Sequence, residues 1–189
     1  MNMRRTTLLK SLLLLLTVTG CTPATIPVRQ QTETEFTLGY ETCYGDYYQP
    51  EGIGRNVVML DIFGRRLDQD SIGRLVGTGT NFGFTDVFLP EGAATLEQAE
   101  GTYTADTTGA AFTFLPGTDY DGLPFGAFLQ NVTDGSRTEL ILFSGGEFTL
   151  MQDEDTTVID CRLLYEEYGR TKTYEAHYRG VLNHLEWKR

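Results

Sequence analysis

The chain has 189 residues, with 15 basic against 26 acidic side chains and a formal net charge of −11. That length suits one ordinary domain. With 40% hydrophobic and 12% aromatic residues it can bury a core and is not intrinsically disordered. The acidic balance excludes nucleic acid as a partner, because phosphate binding needs clustered Lys and Arg.

The first twenty residues differ in kind from the rest. Arg4, Arg5 and Lys10 give a positive start, and Leu8, Leu9 and Leu12 to Leu16 form a short apolar run. The stretch from Leu8 to Val18 is about half of the roughly 20 residues that a membrane-spanning helix needs. Residues 1–20 therefore read as a secretory signal, not a span. The sequence Val18-Thr19-Gly20-Cys21 resembles the lipobox of bacterial lipoproteins. The resemblance implies a lipid-modified Cys21 thiol, cleavage before it, and acylation (palmitate) of the new amino terminus. Each buried CH₂ contributes about 0.8 kcal/mol, and two or more chains hold a protein stably on a membrane. Thr22 stands where enteric lipoproteins retained at the inner membrane carry aspartate, so the resemblance implies an outer-membrane lipoprotein facing the periplasm or the surface. The alternative is an ordinary secreted protein with a cysteine near its cleavage site.

Removing residues 1–20 takes away three basic residues and leaves 12 basic against 26 acidic, a net charge of −14. Such a surface repels anionic partners. Residues 21–35 contain two prolines and no hydrophobic periodicity, the composition of a flexible tether.

From residue 36 to 189 short alternating runs and tight turns dominate, and an all-β domain is expected. Val58, Leu60 and Ile62 share one face of an early strand. Asp134-Gly135 separates Phe125–Val132 from Thr138–Phe143 as a hairpin turn, and Ser144-Gly145-Gly146 reads as the next turn. Asp153-Glu154-Asp155 and Gly169 mark two more. Ile159, Cys161, Leu163 and Tyr165 fall on one face of a late strand, while His177 points outward from its neighbour. The best helix candidate, Ala93–Glu100, is two turns at most, with an extended loop as the alternative. Eight to ten strands at regular spacing imply a single antiparallel β-sandwich or β-barrel.

Cys43 and Cys161 remain after Cys21 is taken by lipid. Export permits a disulfide, and a bridge closing so long a loop would contribute about 4–5 kcal/mol. Cys43–Cys161 is the expected bond, with two buried free thiols as the alternative. Neither cysteines nor histidines have zinc-ligand spacing, and no cofactor is called for.

The body also carries a resemblance. Tyr44-Gly45-Asp46-Tyr47-Tyr48, then Asn56-Val57-Val58-Met59-Leu60, Leu89-Pro90, Gly101-Thr102-Tyr103-Thr104, Ser144-Gly145 and Tyr178-Arg179-Gly180-Val181-Leu182 together are similar to an uncharacterised all-β lipoprotein family common in the Bacteroidota. The resemblance implies fold and compartment and no activity. Cys43 and Cys161 depart from that family's pattern.

Catalytic candidates are poor. His177 reads as solvated and His184 as lying beyond the last strand, with no Gly-x-Ser-x-Gly elbow to serve. Asp119-Tyr120-Asp121-Gly122 lacks the third acidic position and distant glutamate of a calcium loop. The tyrosines are more suggestive. Tyr40, Tyr44, Tyr47 and Tyr48 cluster early, and Tyr165, Tyr168, Tyr174 and Tyr178 cluster late. A disulfide would bring the groups together, and exposed rings would stack on sugars. The reading is a non-catalytic, membrane-anchored binding or adhesion module whose partner is a glycan or a cell-envelope protein, with Tyr44, Tyr47 and Tyr48 as binding residues. The alternatives are a lipocalin-like carrier of a small ligand and a hydrolase using a carboxylate pair.

Overall fold

The computed structural model describes residues 36–64, 66–70 and 72–186. The signal segment 1–20, Cys21 and the tether lie outside the described residues. The domain is all-β as expected. Its strands are β1 (Phe36–Gly45), β2 (Val57–Gly64), β3 (Leu67–Gln69), β4 (Leu75–Gly77), β5 (Gly79–Phe88), β6 (Gly101–Ala105) and β7 (Thr113–Phe114). They continue with β8 (Thr118–Tyr120), β9 (Leu123–Phe125), β10 (Ala127–Thr133), β11 (Ser136–Asp153), β12 (Thr156–Glu167), β13 (Arg170–Gly180) and β14 (Leu182–Glu186). The Ala93–Glu100 segment, a helix candidate or an extended loop, is a loop with one 3-10 turn at Leu96–Gln98.

The hydrogen-bonded order runs β10-β11-β12-β13-β1-β2-β5, and β5 pairs back onto β10. The sheet therefore closes into a barrel, which decides between the two architectures. At one end β6 and β7 bridge β11 to the last residues of β5. The two short hairpins β3–β4 and β8–β9 form separate sheets. They raise the number of strands above eight to ten.

The sheet is not purely antiparallel. β1 runs parallel to β13 at Phe36↔Tyr178 and parallel to β14 from Gly39↔Leu182 to Cys43↔Glu186. Gly39 makes this closure possible. A Cβ there would lie 2.6 Å from Leu182 Cδ2 and 2.7 Å from the Tyr178 hydroxyl, closer than any side chain tolerates.

Three of the expected turns occur. Asp134-Gly135 and Tyr168-Gly169 have positive φ at both residues, and Glu154 has it in the β11–β12 turn. This handedness matches the twist of two-residue hairpins. Ser144-Gly145-Gly146 is not a turn. β11 continues through it with a bulge between Phe143 and Gly145, and a Cβ on Gly146 would meet Arg162 O at 2.3 Å. Gly146 serves close strand approach.

Alternation fills the interior as expected, with Val58, Leu60, Ile62, Ile159, Cys161 and Leu163 buried. Aromatic rings occupy the middle. Phe82 packs edge-on to Phe84 at 5.2 Å, Phe84 sits 4.8 Å from Phe148, and Phe148 stacks on Tyr103 at 4.6 Å. Each such side chain stabilises the fold by about 1.5–3 kcal/mol through burial. A smaller apolar cluster of Phe63, Leu67 and Val132 lies on the outer face under the β3–β4 hairpin.

The expected Cys43–Cys161 disulfide is not formed, and both cysteines are free. β1 does neighbour β13, but only at Phe36↔Tyr178. Cys43 lies seven residues further along, about 23 Å at strand rise, and pairs with Val58 and Glu186. Cys161 pairs with Ala176 and Phe148. The two strands meet, at the wrong register for a bond.

Candidate functional site

The site lies where β1 ends. Gly45, with φ of 66°, turns the chain out of the sheet, and Tyr44, Tyr47 and Tyr48 gather around that turn. Tyr44 and Tyr47 have ring centroids 6.3 Å apart, and Tyr47 and Tyr48 meet edge-on at 5.1 Å. Tyr47 is 59% exposed. Tyr48 rests against Phe88 at 5.7 Å and donates its hydroxyl to Asp86 Oδ1 at 2.8 Å. Tyr44 donates to Met59 Sδ at 3.1 Å. Burial pushes the Tyr44 phenol up to about 12, with the charges of Asp61 and Asp86 adding to it. Burial, then the bond to Asp86, raises Tyr48 as well. Both phenols stay protonated at neutral pH, with their hydrogens donated to Met59 and Asp86.

The sequence-predicted tyrosines thus come together, but the late group does not join them. Tyr174 and Tyr178 are buried in the barrel, and Tyr165 packs edge-on to Phe143 at 6.2 Å. Tyr168 is exposed at the β12–β13 turn.

Beside Tyr44 an open depression is lined by Glu41, Cys43, Thr95, His184 and Glu186. His184 is not beyond the last strand. It belongs to β14 and pairs with Glu41 of β1. Its Nδ1 lies 2.5 Å from Glu41 Oε1, and its Nε2 lies 3.6 Å from Glu97 Oε1. Glu41 is 2% exposed, and its second oxygen accepts the Leu96 N–H at 2.9 Å. Burial raises the Glu41 carboxyl above its ordinary range, against the opposing pull of the Leu96 N–H and His184. The loop carrying Leu96 is held by Asn56, whose Nδ2 donates to Ala93 O at 2.7 Å. Glu41, Asp86 and Glu97 carried no local signal of a site, since each reads as one charge in a strand or loop.

The remaining candidates stay apart from this end of the barrel. His177 is exposed and bonded to Asp160 at 2.7 Å. Asp119 Oδ1 accepts the Gly122 N–H in a plain hairpin turn. Among the described residues no group of three or more His, Cys, Asp or Glu side chains is arranged to hold a metal ion, and no helix is long and apolar enough to cross a membrane.

The arrangement offers an exposed aromatic ring on Tyr47 and, in the depression that the neighbouring Tyr44 helps line, an imidazole oriented by a carboxylate. The chain matches no protein-family model, no curated protein and no solved structure.

Proposed function

We propose that the protein is a lipid-anchored outer-membrane lipoprotein whose barrel presents a glycan-binding surface at the Tyr44–Tyr47–Tyr48 end. The observation that carries the reading is Tyr47, a ring left 59% exposed and edge-on to Tyr48, next to a depression with hydroxyl, imidazole and carboxylate groups. A sugar offers an apolar face to the ring and hydroxyls to those groups. Glu186 lines the depression and Glu97 stands 3.6 Å from His184 Nε2, an acidic setting that favours neutral or amino sugars over uronic or sialic acids. The carrier alternative needs space inside the barrel, where Phe82, Phe84 and Phe148 sit in contact. The hydrolase alternative needs two carboxylates facing substrate, and Glu41 faces Leu96 and His184.

The protein without residues 1–20 should bind at least one neutral polysaccharide in an array of envelope and host glycans. Tyr47→Ala should weaken that binding about tenfold, corresponding to about 1–1.5 kcal/mol of aromatic contact, with an unchanged circular dichroism spectrum. Failure of every glycan to bind, or binding indifferent to Tyr47→Ala, overturns the assignment. Anchoring is tested separately: Cys21→Ser should move the protein from the membrane to the soluble fraction in high salt.

A further inference from the structure

The two ends of the barrel are unlike. The tyrosines occupy the end where β1 finishes. The chain enters at the other end, at Phe36, whose antiparallel partner is Gly64. From Gly64 it runs directly into the β3–β4 hairpin, which leaves Ile72 71% and Val76 44% exposed. Gly79 then pairs with Val132, and the Gly135 N–H donates to Gly77 O at 2.9 Å. This fixes the hairpin beside the β10–β11 turn. The β8–β9 hairpin reaches the same turn, because Arg137 donates to Gly122 O at its tip at 2.8 Å. Near its tip it exposes Tyr120 (68%) and Leu123 (62%). Two hairpins thus present four large apolar side chains, Ile72, Val76, Tyr120 and Leu123, around one end of an otherwise acidic domain. Large apolar side chains exposed together at one end mark an interaction surface.

We infer that this rim rests in the interface of the bilayer that holds the Cys21 lipid, so that the tyrosine end faces away from the membrane. The inference rests on the anchored reading above. Phe36 lies fifteen positions after Cys21. A chain that long reaches at most about 50 Å and has a root-mean-square span of about 20–23 Å when flexible. The end that carries Phe36 is therefore kept near the membrane, while the far end of β1 lies about 30 Å beyond it. The chemistry suits an interface: aliphatic Ile72, Val76 and Leu123 to bury, and Tyr120 with an apolar body and a polar tip. Attraction to anionic lipid is not the driving force, because the chain from Cys21 onward carries a net charge of −14. Contact comes from apolar burial and is insensitive to salt.

The test separates this inference from natural lipidation. The chain from Cys21 onward, carrying Cys43→Ser and Trp187→Phe, is coupled through Cys21 to maleimide lipid in phosphatidylcholine vesicles; Cys161 is buried and does not compete. Leu123→Trp is compared with Tyr47→Trp at the opposite end, and Ile72→Trp serves as a second rim reporter. Brominated lipid should quench the Leu123→Trp and Ile72→Trp fluorescence at least threefold more than that of Tyr47→Trp, in low and high salt alike. Equal quenching at both ends overturns the inference, as does none at either. A blue-shifted but unquenched rim reporter overturns it too, by assigning the rim to a second copy of the chain. Because the coupling is chemical, none of these outcomes depends on whether the cell lipidates Cys21.

Discussion

His184 and Glu41, from opposite ends of the sequence, face each other across the parallel β1–β14 pairing, with Nδ1 2.5 Å from Oε1. The same carboxylate accepts the Leu96 N–H. One buried side chain thus joins the first strand, the last strand and the loop before β6. Glu41→Ala would leave the Leu96 N–H without its acceptor, a loss of about 1–3 kcal/mol. Urea unfolding should show a lower midpoint with unchanged slope. Glu41→Gln keeps an acceptor oxygen and should lose less.

Asp61 makes stability depend on pH. It is buried on β2, where desolvation pushes its carboxyl up to about 6 against the opposing hydrogen bond from Asn81 Nδ2. An unfolded aspartate titrates near 3.9. Between those values the native state holds a proton that the unfolded state has released. The contribution is therefore full below about pH 4 and is lost as pH rises through about 6, amounting to about 2–3 kcal/mol. Protonation also supplies a donor beside Asn81 Oδ1, which is buried without a hydrogen-bond partner. Asp61→Asn should flatten this part of the profile in urea melts from pH 4 to pH 7.

The two described thiols should differ in reactivity. Cys43 is half-buried beside the depression and Cys161 is fully enclosed, where burial and then the charge of Asp160 push its thiol well above the ordinary range. Iodoacetamide should modify Cys43 in the native protein and Cys161 only after denaturation. A mass 2 Da lower before reduction, in protein whose Cys21 is lipidated or replaced, would restore the disulfide.

Gly39→Ala should be among the most damaging single-methyl additions. The new Cβ would collide with Leu182 and Tyr178, so β14 must withdraw from β1 or both side chains must leave their rotamers. Overpacking of this kind costs about 1–3 kcal/mol, measured as a lowered melting temperature.

Much of the barrel was legible because alternation is a local property. Ile159, Cys161 and Leu163 announce their inward face within five residues, and Asp134-Gly135 announces its hairpin in two. The Ser144-Gly145-Gly146 bulge misled because glycine serves a turn and a close backbone approach equally well, and only the position of Arg162 distinguishes them. The parallel β1–β14 closure left no trace. β14 has one buried residue, Leu182, followed by four exposed ones, so it lacks the pattern of a core strand. Of the candidate site, the tyrosine cluster was readable because its members are close in sequence. The Glu41–His184 pair was not, because only the closed barrel brings its two halves together.

That closure also bears on how the chain must fold. The Asn183 side chain donates to Gly39 O across 144 positions, so the ring cannot close before nearly all of the polypeptide is available. Hairpins such as β12–β13 join residues close in sequence and can form early. The β1–β14 seam carries the highest loop-closure cost and belongs to the slow class of non-local contacts. A chain ending before Leu182 would leave most of the hydrogen-bonding edge of β1 open to pair with another molecule, which makes the last strand a safeguard against aggregation as much as a wall of the barrel.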